Sequence, residues 1–177
     1  MHKFDECTLA EALSAWGYDE VRGRWKSRIA PGLHTDDPLA CIAIALQFRS
    51  MPIARILASD PVITLRGLLA AKDLDALELA DGGTLAEWAA GAAGGDDIAH
   101  EFVAGLSAAA TPPAGALVLV AQLLAEEPEV VTGPKRLFDG RHRALAWQAR
   151  ARRGCDEDIP AYLILTRTDA PLPGPMA

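Results

Sequence analysis

The chain has 177 residues, half of them hydrophobic and 23% charged, which suits one domain with a sizeable core and excludes bulk disorder. Aromatics make up only 6% while Ala and Leu dominate, so helices are favoured over a β-sandwich. A net charge of −7 disfavours a protein that spreads positive charge along a duplex. Three scattered cysteines, Cys7, Cys41 and Cys155, give neither a disulfide framework nor a zinc-ligand pair.

The opening Met1-His2-Lys3-Phe4 lacks the basic-then-apolar pattern of a secretory leader, so reduced thiols in a cytoplasm are expected. Thr8-Leu9-Ala10-Glu11 has the spacing of a capping box and predicts a helix through Trp16, ended by Gly17. After a mixed polar stretch, Asp37-Pro38 predicts a second N-cap and N1. The apolar positions of that helix are Leu39, Ile42, Ile44, Ala45 and Phe48. Pro52–Leu57 reads as a strand or as the end of that helix. Val62-Ile63-Thr64-Leu65 then leads into a helical pattern through Leu68, Leu69, Leu74 and Leu77.

Thr84-Leu85-Ala86-Glu87 is a second capping box, at the head of a helix carrying Trp88. Gly91 to Asp97 reads as a glycine-rich loop, with a helix near Ile98 to Ala109 beyond it. Phe102 to Ala125 contains no charge, but its strongly apolar part, Ala114 to Ala125, is short of the roughly 20 residues a membrane span needs. A buried helix over Ala114–Glu127 is the expectation.

Charge gathers in one place. Lys135, Arg136, Arg141, Arg143, Arg150, Arg152 and Arg153 face a single acid, Asp139, inside an otherwise acidic chain. Lys135-Arg136-Leu137-Phe138 reads as a short strand that enters an Asp139-Gly140 turn. Arg141 to Arg153 reads as a helix with Leu145, Ala146 and Ala149 inward and Gly154 as terminator. Past an acidic loop, Ile159–Leu165 is the best strand in the chain. Cations in a first turn oppose the helix dipole by about 0.3–1 kcal/mol each, a cost that an anion at the helix N-terminus would offset. Gly140 would let the backbone approach, Arg143 would grip phosphate oxygens through two donors, and His142 would add a third. The plainer account is Asp139 as helix cap with solvated arginines.

Asp139-Gly140-Arg141-His142-Arg143-Ala144-Leu145-Ala146, followed by Ile159-Pro160-Ala161-Tyr162, resembles the ParB/sulfiredoxin-like family over about 31 residues. The resemblance implies a cradle for the phosphates of ATP or CTP, with Mg²⁺, and some relatives are free-serine kinases. By position Gly140, Arg141, His142 and Arg143 would bind the nucleotide, while Asp139 and His142 would serve catalysis. Asp60, just after the expected first strand, is the one candidate for a kinase-type acid. Sulfiredoxin carries a cysteine where this chain has Arg141, so sulfinic-acid reduction is not implied. Few residues follow Leu165, which leaves no room there for the DNA-reading domain of partition proteins.

The fold expected is α/β (α+β): a small mixed sheet of ParB/sulfiredoxin-like type. Residues 1–49 would form a helical N-terminal extension, 50–168 the domain with a helical insertion, and 169–177 a flexible tail. The function expected is an NTPase or small-molecule phosphotransferase. The alternative is a non-catalytic regulatory or protein-interaction module of the same fold, meeting a protein partner through its N-terminal helices. DNA binding or cleavage ranks third, and no membrane partner is expected. His34, Asp36 and Asp37 offer metal-type donors, yet a capped loop is the simpler reading, so no metal site is assigned. Asp81-Gly82-Gly83-Thr84 reads as a turn and an N-cap. Trp147 reads as core rather than a base-stacking platform, and Cys155, beside three acids, makes a poor nucleophile.

Overall fold

The computed structural model describes residues 4–22, 35–48, 54, 56–79, 82–87, 103–106, 108–122, 135–155 and 157–167. The first strand, β1 (Phe4–Cys7), leads at once into α1 (Leu9–Arg22), whose start is fixed by Thr8: its hydroxyl accepts the Glu11 N–H at 3.1 Å. The helix does not stop at Gly17. It runs on for five residues, closing with Arg22 stacked 5.3 Å over the Tyr18 ring. Gly17 is a packing contact instead, lying against the backbone of Cys41 and Ile42 on α2 (Pro38–Phe48). Asp37 caps α2 as expected, accepting the Leu39 N–H at 3.1 Å. The buried face of α2 is Cys41 and Ala45, while Leu39 is exposed.

Alanine 54 and residues 56–58 are helical, so the strand expected at Pro52–Leu57 is not found among the described residues there. A strand starts slightly later: β2 (Pro61–Leu69) continues through the segment expected to turn helical. Only then does a single 3-10 helix (Ala71–Ala76) form, with the Asp73 carboxylate accepting the Ala70 N–H at 3.0 Å. After it come β3 (Glu78–Leu79), β4 (Leu117–Gln122), β5 (Arg136–Asp139), α3 (Arg141–Ala151) and β6 (Ile159–Thr166). The apolar run after Pro113 is thus a strand, β4, and not a buried helix.

These strands make one mixed sheet in the order β1-β2-β6-β4-β5-β3. β6 pairs antiparallel with β2 and parallel with β4; β4 pairs antiparallel with β5. Alternation along β4 explains its uniform apolarity. Leu117, Leu119 and Ala121 enter one core with Trp147 of α3 and Leu74 of the 3-10 helix. Val118 and Val120 enter a second core with Trp16 of α1 and Cys41 of α2. A strand buried on both faces reads as a continuous hydrophobic run. The result is a three-layer α/β arrangement, helices on both sides of a mixed sheet.

The segment set apart as an N-terminal extension is built into this unit: β1 is a strand of the sheet, and α1 and α2 cover one of its faces. Among the described residues, no helix is long and apolar enough to cross a membrane. Trp88, the Gly91–Asp97 loop and the tail from Asp169 lie outside the described residues. Of the helix expected near Ile98–Ala109, residues 103–106 are helical.

Candidate functional site

The strand–turn–helix at Arg136–Ala151 forms as its sequence indicates. Between β5 and α3, Gly140 holds φ 97° and ψ 20°, a left-handed backbone that costs any L side chain about 1–2 kcal/mol. A Cβ there would also stand 2.5 Å from Leu117 Cδ2, so both the dihedral and the space demand glycine. Gly140 is the N-cap of α3 and brings no side chain to its first turn, whose backbone N–H groups have no acceptor within the helix. Asp139 Oδ2 turns to Arg143.

Arg143 is the centre of the site. Its Nη2 donates to Asp139 Oδ2 at 2.6 Å, four residues back. Its Nη1 donates to Asp19 Oδ2 at 2.5 Å, on α1 and 124 residues away in sequence. With side chains only 15%, 23% and 15% exposed for Arg143, Asp19 and Asp139, the trio is largely shielded from water. Gly115, at φ 87°, lies against it, and a Cβ there would overlap both Arg143 Nη1 and Asp19 Oδ2. Burial raises the Asp19 carboxyl above the ordinary carboxylate range; the Arg143 guanidinium only partly offsets this, and Asp139 and Glu20 push the same way as burial. A carboxylate raised by folding contributes stability below its unfolded pKa and loses it as pH rises through the folded one. Asp19 therefore makes the fold less stable as pH rises through its raised folded value.

His142 and Arg141 share the first turn of α3 and are partly exposed. Gly140, Arg141, His142 and Arg143 therefore stand together, with Asp139 beside them. Asp60 does not join them. Its backbone and side chain pair with Arg167, past the end of β6, where Thr166 stands opposite Gln122. Asp139 stands opposite Val118, four residues back along β4, about 13 Å at a strand's usual rise. Asp60 at the far end of the strands cannot serve chemistry at Gly140, and it is dropped as a catalytic acid.

The basic concentration read from the sequence is also dispersed by folding. Arg136 faces Glu78 at 3.7 Å, Arg143 takes its two aspartates, and Arg150 is buried, holding Glu157 through two hydrogen bonds of 2.7 Å and the Ala109 carbonyl at 2.6 Å. Arg150 is thus an internal clamp rather than a solvated charge at the end of α3, while Arg152 and Arg153 are exposed. Trp147 is 3% exposed and cannot stack on a base. Asp36 pairs with Arg22 and Asp37 caps α2; His34 lies outside the described residues. Among the described residues, no cluster of three His, Cys, Asp or Glu side chains is arranged to hold a metal ion. Gly82 and Gly83 form the expected turn, and Thr84 and Glu87 close their capping box at 3.2 and 2.7 Å.

A cleft of about 430 Å³ opens along β2 and the start of β6. Arg66, Leu68, Pro160 and Tyr162 line it, together with Ala116, the residue after Gly115. Arg66 is bound to Glu11 at 2.6 Å. Burial, and then Glu11, raise the Tyr162 phenol, with smaller contributions from Cys7 and Asp19. Burial pushes the Cys7 and Cys41 thiols up as well, which sets them apart from reactive thiolates.

Asp19 and Gly115 are the two members of the site absent from the sequence reading. Neither carries a local signal: Asp19 lies in a mixed segment after a glycine expected to end a helix, and Gly115 in a run expected to be helical. Comparison with family models, with curated proteins and with solved structures finds no match to the chain.

Proposed function

We propose that the chain binds the phosphates of a nucleotide at the Gly140–Arg143 turn and acts there as an NTPase or small-molecule phosphotransferase of ParB/sulfiredoxin-like type. The observation that carries this reading is the left-handed glycine between β5 and α3, which packs against Leu117 and opens the helix without a side chain of its own. That geometry brings the positive end of the helix dipole to the turn, where an anion is favoured. Arg143, a planar fork fixed at the same turn, is shaped for two phosphate oxygens. ATP or CTP is the nucleotide that the sequence motif implies for this turn. Mg²⁺ would accompany the phosphates and neutralise their charge. His142 would donate to a developing phosphate charge. The cleft along β2 and β6 offers space for an acceptor.

The second reading, a binding module without turnover, is favoured by one observation: Asp60 stands at the wrong end of the sheet, which leaves no assigned acid outside the Arg143 cluster. DNA binding gains no support, since the basic segment is largely spent on internal pairs.

The test is a thermal-shift screen with ATP, CTP and GTP plus Mg²⁺, run beside Arg143→Lys. Lysine keeps a cation between the two aspartates but loses the bidentate fork. Ligand at 100 times its dissociation constant stabilises the native state by about 2.7 kcal/mol. A shift that disappears in the variant supports the phosphate site, and phosphate release on top of it separates enzyme from module. Absence of a shift with every nucleotide would overturn the proposal.

A further inference from the structure

We propose that Asp19 of α1 is a gate on this site: its carboxylate occupies the guanidinium edge that a phosphate would take, so an anion enters only by displacing it. The inference rests on the phosphate-binding reading and adds a regulation to it. Arg143 has two outward donors, Nη1 and Nη2, and each already serves a carboxylate. Asp139 belongs to the motif itself, one residue from Gly140, and is covalently tied to the turn. Asp19 comes from another layer, on a helix that is joined to the turn by packing alone. Of the two, Asp19 is the ligand that can leave.

Charge points the same way. One guanidinium set between two aspartate side chains has no positive charge to spare, so an incoming phosphate is repelled until one aspartate departs. The groups acting on Asp19 are Arg143 from α3, Asp139 from β5 and Glu20 on its own helix. Asp139, Glu20 and burial disfavour its charged form, while Arg143 favours it. The loop at Gly115 contributes no charge but closes tightly over the pair, so exchange needs a shift of α1 or of that loop. Anion binding at α3 is thereby coupled to the position of the α1–α2 layer on the other face of the sheet. Any ligand that draws α1 away from the sheet end would raise the affinity for phosphate, and phosphate would in turn loosen α1.

Calorimetric titration with inorganic tripolyphosphate, at one fixed pH, tests the gate on full-length wild type, Asp19→Asn and Asp19→Glu. Removing the charge should tighten binding by about tenfold, while Asp19→Glu stays near wild type. Asp19→Ser, which also removes the charge, substitutes if Asp19→Asn fails to fold. Equal or weaker binding in the uncharged variants overturns the gate and leaves the phosphate site standing. No binding by any of the proteins overturns both.

Discussion

Replacing Gly17 by alanine sets two well-known effects against each other inside α1. In an exposed helix interior the change would gain about 0.8–1.0 kcal/mol, because glycine has the more flexible unfolded backbone. Here the new Cβ would stand 2.8 Å from Ile42 N, 2.9 Å from Ile42 Cα and 3.1 Å from the Cys41 carbonyl carbon. Comfortable contact begins near about 3.5 Å, so α2 would have to retreat by about 0.7 Å. The neighbours are backbone atoms of a helix whose buried face, Cys41 and Ala45, packs in the same core as Trp16 and Val120, and they cannot swing aside. Overpacking of this kind costs about 1–3 kcal/mol, which outweighs the propensity gain. The expected outcome is a net loss of up to about 2 kcal/mol, read from the urea midpoint at unchanged slope. A stabilisation near 1 kcal/mol, the result for an uncrowded helix, would refute the α1–α2 packing on which the placement of Asp19 depends.

Gly140→Ala meets both a left-handed backbone and the Leu117 side chain, so a loss of about 1–3 kcal/mol in chemical denaturation is expected; a neutral result would contradict the turn geometry. Trp147→Phe should fall within about 1 kcal/mol of wild type in the same assay, because the buried Nε1 has no hydrogen-bond partner among the described residues to lose and removing it offsets the lost packing. A large loss would show that Nε1 does have a partner. Arg150 holds the Glu157 carboxyl below the usual carboxylate range, chiefly by hydrogen bonding, so its contribution is present above that range and lost as pH falls through the lowered value. Glu157→Gln should therefore melt below wild type at neutral pH, with the gap closing in acid; a gap independent of pH would refute the pairing.

Local chemistry was legible where a few adjacent residues decide the outcome. Thr8 with Glu11, Asp37 with Pro38, Thr84 with Glu87, and the β5–α3–β6 unit stand where their spacing puts them, since caps and tight turns are short-range devices. The strand β4 was not legible, because a run apolar on both faces has lost the period that separates strand from helix. Gly17 misled for a related reason: a glycine kept for a helix–helix contact looks the same in sequence as one that ends a helix. Arg143 was found and its surroundings were not. A guanidinium flanked by arginine and histidine reads as available for a ligand, and only the packing of α1 brings the Asp19 carboxylate to it.

The place of β6 in the sheet carries a consequence for the order of assembly. It lies between β2 and β4, yet it leaves the ribosome after every other strand of the sheet. Until Ile159–Thr166 has been synthesised, β1 and β2 have nothing to join to β4, β5 and β3, and the nascent chain holds two half-sheets with bare edges. Such a chain must tolerate unpaired strands for most of its translation, which invites chaperone capture and slows the final closure. Cutting the message ahead of Ile159 would release one aggregation-prone chain with two unjoined half-sheets rather than a smaller folded protein.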